Sequence, residues 1–155
     1  MMTRIYKFYR NLSALTYLVI LLTTYAYMPE KVGYLFNEYR EPVNTFSRGI
    51  YFYSFLGLFF VVNTMLLLFE KQILSRLMSP NNVYLKGRLT DWIRIFTGTS
   101  NIFIVLVMIF LVFVNSHGSV PAEQAIFLVY LGLLMIIACL IWLVVIAIKQ
   151  DRPDK

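Results

Sequence analysis

Residues 50–69, "IYFYSFLGLFFVVNTMLLLF", contain no charged side chain and a single amide, Asn63, deep in the run. A helix on the surface of a soluble domain would show an apolar stripe and a polar face. This one has no polar face, so its surroundings must be apolar on every side. Twenty helical residues rise about 30 Å, the thickness of the hydrocarbon core of a bilayer. The stretch reads as a transmembrane helix, and Asn63 is the group within it that needs a partner.

Three more blocks of the same kind flank it. Residues 11–28, "NLSALTYLVILLTTYAYM", follow a basic leader, "MMTRIYKFYR", and form an uncleaved anchor rather than a signal peptide, because "TYAYMPEK" lacks a small-x-small cleavage site. Residues 95–115 begin with the polar group "TGTSN" and then turn lipophilic, and residues 125–148 are the most lipophilic of all. In the 155-residue chain 59% of residues are hydrophobic and 14% charged, with a mean hydropathy of +0.70. A soluble domain holds roughly 45–50% apolar residues. Barrel strands would be shorter and would alternate apolar with polar. The expected fold is all-α: a single polytopic domain, 1–155, with four transmembrane helices near 11–28, 50–69, 95–115 and 125–148, an outer loop at 29–49 and a cytoplasmic loop at 70–94.

Charge sets the expected orientation. Arg4, Lys7, Arg10, Lys71, Arg76, Lys86, Arg88, Arg94, Lys149, Arg152 and Lys155 fall on one side of this layout with Glu70, Asp91, Asp151 and Asp154. The other side holds Lys31, Arg40 and Arg48 with Glu30, Glu38, Glu41 and Glu123. The two sides carry +7 and −1, which sum to the chain's +6. By the positive-inside rule both termini and the 70–94 loop are cytoplasmic, in an inner or plasma membrane. Insertion accounts for the basic pI, so no nucleic-acid partner is invoked.

Two loops have unusual content. In the cytoplasmic loop, Leu85, Leu89, Trp92 and Ile93 recur at helical spacing among Lys86, Arg88 and Arg94 after the break at Pro80, Asn81 and Asn82. That pattern suits a short amphipathic helix on anionic headgroups, with an early start of the third span as the competing reading. In the outer loop, Tyr34, Phe36 and Tyr39 lie among other large apolar residues, a composition suited to lipid or partner contact. Pro29 and Pro42 bracket "EKVGYLFNEYRE", which reads as one or two helical turns.

Inside the spans, Asn63, Ser54, Gly57 and Thr64 on the second helix and Thr24 on the first read as helix-packing or hydrogen-bonding groups, beside a first-helix stripe of Ser13, Tyr17 and Tyr27. Gly132 marks a close crossing or a notch for an aromatic ring. The "GTSN" group at 98–101 reads as lying near the inner interface, where water reaches it. Cys139 reads as a small buried hydrophobe. The sole histidine, His117, beside Ser116, Ser119 and Glu123, lacks anything that would fix a triad geometry. No spacing of His, Cys and carboxylates suggests a metal or a cofactor. No Asp, Glu, Lys, Arg or His falls within the four spans, where ion and proton pathways normally place one. The reading that follows is a non-catalytic accessory, assembly or anchoring subunit of a larger membrane complex, whose partners are other integral subunits or further copies of itself. A small oligomeric channel or carrier is the alternative, and a membrane-bound enzyme is the third class.

Residues 27–42, "YMPEKVGYLFNEYREP", resemble the outer-loop pattern of small integral membrane proteins related to bacterial immunity and sensing modules. In those proteins a proline after the first span precedes a short valine and phenylalanine–asparagine segment. Their usual glycine after the asparagine is Glu38 here, and no role carries across.

Overall fold

The central element is a 33-residue helix, α3 (Val83–Asn115), against which the others are arranged. The computed structural model of the chain describes residues 2–37, 42–73, 83–116 and 125–150. Preceding α3 are α1 (Met2–Tyr27), a hairpin of β1 (Lys31–Phe36) and β2 (Pro42–Ser47), and α2 (Arg48–Leu68), which runs on into a π-helical turn at Phe69–Ile73. The last helix is α4 (Phe127–Gln150). The protein is mostly helical. Three of its helices, over Arg48–Gln72, Leu85–Asn115 and Phe127–Ile148, are long and apolar enough to cross a membrane. α1 is 26 residues long, but Arg4, Lys7, Arg10 and Asn11 make its first half polar, and it falls outside that set.

Contacts at both ends of the helices give an up-down-up-down arrangement. Near one end, Arg10 of α1, Glu70 beyond α2 and Arg94 of α3 meet. Near the other, Thr24 of α1 meets Tyr51 of α2, and Asn115 of α3 meets the hairpin. α4 runs antiparallel to α3, placing Gly132 against Phe103 and Cys139 against Trp92. The buried core lies between α1, α2 and α3, around Tyr17, Leu21, Tyr51, Val105 and Met108, with Val32 closing it at the hairpin end. A second cluster, Trp92, Ile93 and Ile146, joins α3 to α4.

Two segments differ from the sequence expectation. Before α2 the described residues of the outer loop hold no helical turn; they form an antiparallel hairpin with Val32 opposite Phe46 and Gly33 opposite Thr45. β-Branched and aromatic residues favour this pleated surface, and Pro42 stands at the first position of its strand, where a missing N–H is tolerated. Val32 is buried and Phe46 packs on the same cluster, so one face of the hairpin caps the bundle. Ser47 then ends β2 and caps α2, accepting from the Ile50 N–H at 3.2 Å. The 84–94 segment, in turn, is not a separate interfacial helix. It forms the first turns of α3, because no breaker separates it from the span and its apolar side docks on α4 through Trp92 and Ile93.

Candidate functional site: a polar seam in an apolar bundle

The α1 positions 10, 13, 17, 21 and 24 recur every three or four residues, so one line of side chains runs along the helix toward Met28 just beyond its end. Polar members of that line meet polar groups of α2 and α3 at successive levels. At the hairpin end, the Thr24 and Tyr51 hydroxyls are 2.8 Å apart, and Thr24 also donates to the Leu21 carbonyl. One level on, the Tyr17 hydroxyl donates to the Phe55 carbonyl at 2.8 Å, with its ring tilted against Phe59.

The middle level carries a network of side-chain bonds across three helices. Asn101 of α3 is wholly buried. Its amide and that of Asn63 bond reciprocally, with Nδ2 of Asn63 to Oδ1 of Asn101 at 2.9 Å and the return bond at 3.2 Å. The second donor hydrogen of each amide is also used: Asn63 donates to the Phe59 carbonyl at 2.9 Å and Asn101 to Ser13 Oγ at 3.3 Å. Ser13 in turn donates to the Arg10 carbonyl. In hydrocarbon an unmatched amide is costly, and here each donor has an acceptor on the same chain.

Below it, Tyr9 of α1 lies 3.4 Å from the Thr99 hydroxyl, and the Cys139 thiol of α4 donates to that same hydroxyl at 3.5 Å. Gly98 makes this possible, since a Cβ there would overlap the Tyr9 ring. The seam ends at Glu70, whose carboxylate accepts from Arg10 at 2.7 Å and from Arg94 at 2.7 Å, while Arg94 also lies 3.5 Å from Asp91. At 1.5 Å per residue Glu70 stands about 33 Å from Arg48, a separation close to the thickness of a hydrocarbon core.

The hairpin is fixed by an analogous match. The Asn115 side chain accepts from the Gly33 N–H at 2.6 Å and donates to the Gly33 carbonyl at 2.9 Å, standing in for a neighbouring strand along the free edge of β1. Gly33 is required at this approach, because a Cβ would come within 2.8 Å of Pro42 and 2.9 Å of the Phe36 ring. Arg48 lies over the Tyr25 ring, 5.0 Å from its centroid, at the junction of hairpin and α2.

The residues singled out in the sequence separate into three groups. Asn63 and Thr24 sit in the seam, and Gly132 forms a notch in α4 that the Phe103 ring fills. Ser54, Gly57 and Thr64 do not; they lie on the exposed side of α2, and nothing stands within 4 Å of a Cβ at Gly57. The face of α2 turned to its neighbours instead follows Tyr51, Phe55, Phe59, Val62 and Leu66. Among the groups assigned to lipid or partner contact, Trp92 and Arg94 are engaged within the chain. The Trp92 indole donates to the Cys139 carbonyl at 2.7 Å and stacks on Phe96, and Arg94 pairs with Glu70. Lys86 is exposed and Arg88 half-buried on the first turns of α3; Tyr34 is exposed on the hairpin and Phe36 half-buried. Tyr39 and His117 lie outside the described residues. Sequence reasoning missed Asn101, Glu70, Arg10 and Asn115. The available signal was an amide or ion on one helix that requires a complement at the same depth on another.

No family model matches the sequence, and no match was found among curated proteins or solved structures.

Proposed function

We propose that this protein is a non-catalytic accessory, assembly or anchoring subunit of a larger membrane complex, spanning the bilayer four times with both termini cytoplasmic. The observation that carries the reading is the stripe Ser54, Gly57 and Thr64, which faces away from the chain's own helices. Small and hydroxylated residues at that spacing allow another helix to approach closely and bond across. Meanwhile the polar groups of the seam are engaged with one another, which suits a rigid scaffold. The fourth span rests on α1, which lies along α3 from Tyr9 at Gly98 to the hairpin, and about 39 Å of helix is long enough to cross. The orientation rests on the charge bias, with eleven of 14 basic residues on one side.

Gly57→Leu tests this directly, because its own chain leaves space at that position. Tagged protein is solubilised gently from its native membrane and its companions are identified by mass spectrometry. Larger membrane subunits should accompany the wild type in fixed ratio and should be lost from Gly57→Leu, with the monomer still folded. A clean homo-oligomer that conducts ions or carries solute would instead establish the channel or carrier reading.

A further inference from the structure

α2 and α3 are joined along one edge and parted along the other. On the parted edge lies a cleft of about 760 Å³, walled by Leu58, Val61 and Met65 of α2, by Phe69 of the π-helical turn that continues it, and on α3 by Phe96 and Phe103. Among the described residues Ser100 and Gln72 are the polar side chains in its lining, Gln72 at the end toward Glu70. Its volume falls in the ordinary range for small-molecule sites, about 300–1,000 Å³.

Two pins set its width. The Asn63–Asn101 amide pair and the Glu70–Arg94 ion pair both tie α2 to α3, and they sit beside the cleft residues Val62 and Phe69. Rolling α2 to close the cleft would pull the amide pair apart within hydrocarbon, where nothing replaces its bonds, and would break the ion pair at the end of the helix. Leaving the cleft empty forfeits the dispersion contacts of its lining. A fixed apolar cleft that opens sideways is therefore filled by whatever surrounds it.

We propose that this cleft holds one acyl chain of an anionic phospholipid from the leaflet on the basic side of the protein. The inference depends on the membrane reading above. The α2 wall from Leu58 to Gln72 is about 21 Å long, against about 15 Å for the hydrocarbon of one leaflet. An extended hydrocarbon chain entering at the Gln72 end can lie along this wall as far as Leu58. The cleft ends beside Lys71, on the side that carries +7, so charge favours an anionic headgroup at its mouth.

The test places photoreactive benzoylphenylalanine at Met65 in the cleft or, as a control, at Leu134 on the exposed face of α4. Each full-length protein is reconstituted in vesicles of equal phosphatidylglycerol and phosphatidylcholine, irradiated and weighed by mass spectrometry. The expected result is a lipid adduct at both positions, several-fold higher in yield at 65 and enriched there in phosphatidylglycerol. Ser100→Phe, which fills the cleft from α3, should reduce the adduct at 65 and leave that at 134 unchanged. Equal yield and composition at the two positions would mean ordinary boundary lipid and would overturn the site. A protein–protein adduct at 65 would overturn it in favour of a second copy. Absence of lipid at both positions would overturn the membrane reading itself.

Discussion

Asn63 and Asn101 hold each other across α2 and α3, and that reciprocity makes a specific energetic statement. Replacing one amide by leucine takes both bonds of the pair from the other in apolar surroundings, whereas replacing both leaves neither unmatched. Asn63→Leu and Asn101→Leu should each destabilise the fold, and the double variant should lose less than their sum. The expected coupling is about 0.6–1.7 kcal/mol, the range of interhelical hydrogen bonds in membrane proteins, read from unfolding of the four proteins in the same bilayer mimic. Additive losses would mean that the two amides act separately. The need of Asn63 for a protein partner was legible in the sequence; the identity of that partner was not. Asn101 reads as an interfacial residue when the third span is taken to begin at residue 95, because only a few residues then separate it from water. With α3 starting at Val83, Asn101 stands about 27 Å from the helix start and 21 Å from Asn115, at the same depth as Asn63.

At the scale of the element, α2 is bound along a single edge, so its far end depends on Glu70. The π-helical turn at Phe69–Ile73 carries that carboxylate, which lies between Arg10 of α1 and Arg94 of α3 and is only 13% exposed. Glu70→Gln keeps the shape, removes both ion pairs and leaves two guanidinium groups facing a neutral amide. A loss of about 1–3 kcal/mol is expected, between the values for exposed and buried pairs. Amide exchange over residues 66–73 should then rise about 5- to 100-fold, following the rule that 1.4 kcal/mol is a factor of ten, while exchange at the hairpin end stays unchanged. Uniform protection in the variant would show that apolar contact alone holds this end. The existence of α2, α3 and α4 was legible because their apolar runs match the thickness of a bilayer. Which side of α2 faces inward was not, because lipid and protein interior are both apolar and leave no periodic signal in a helix such as "LFFVVNTMLLLF". Ser54, Gly57 and Thr64 therefore look like an internal seam in sequence and turn outward in the structure. The hairpin was obscured for a different reason. Val32, Tyr34, Leu35 and Phe36 suit a helical turn or a strand by spacing, and the contact that decides between them is made 82 residues away, by Asn115 with Gly33.

Across the whole molecule the arrangement is two helical hairpins joined by their inner faces. α1 and α2 form one, α3 and α4 the other, and between them run the Tyr9–Thr99, Ser13–Asn101, Asn63–Asn101 and Glu70–Arg94 contacts. On the proposed four-span reading each hairpin enters the bilayer by itself, since every helix satisfies its own backbone, and association then depends on packing and interhelical bonds. The covalent link over 74–82 is therefore dispensable if those contacts suffice. Residues 1–78 and 79–155, expressed together as separate chains with a tag on one, should purify as a one-to-one pair. Asn101→Leu in the second fragment should lower the yield of the pair, because it strips Ser13 and Asn63 of their shared partner at once. Gly132→Val should leave the pair intact while loosening α4, since it disturbs the Phe103 notch inside one fragment. Fragments that insert but stay apart would show that the seam does not by itself hold the two hairpins together, and would assign their union to the connecting segment. Pairing that survives the loss of Asn101 unchanged would move the weight of the interface to the apolar layer around Tyr17, Leu21 and Met108.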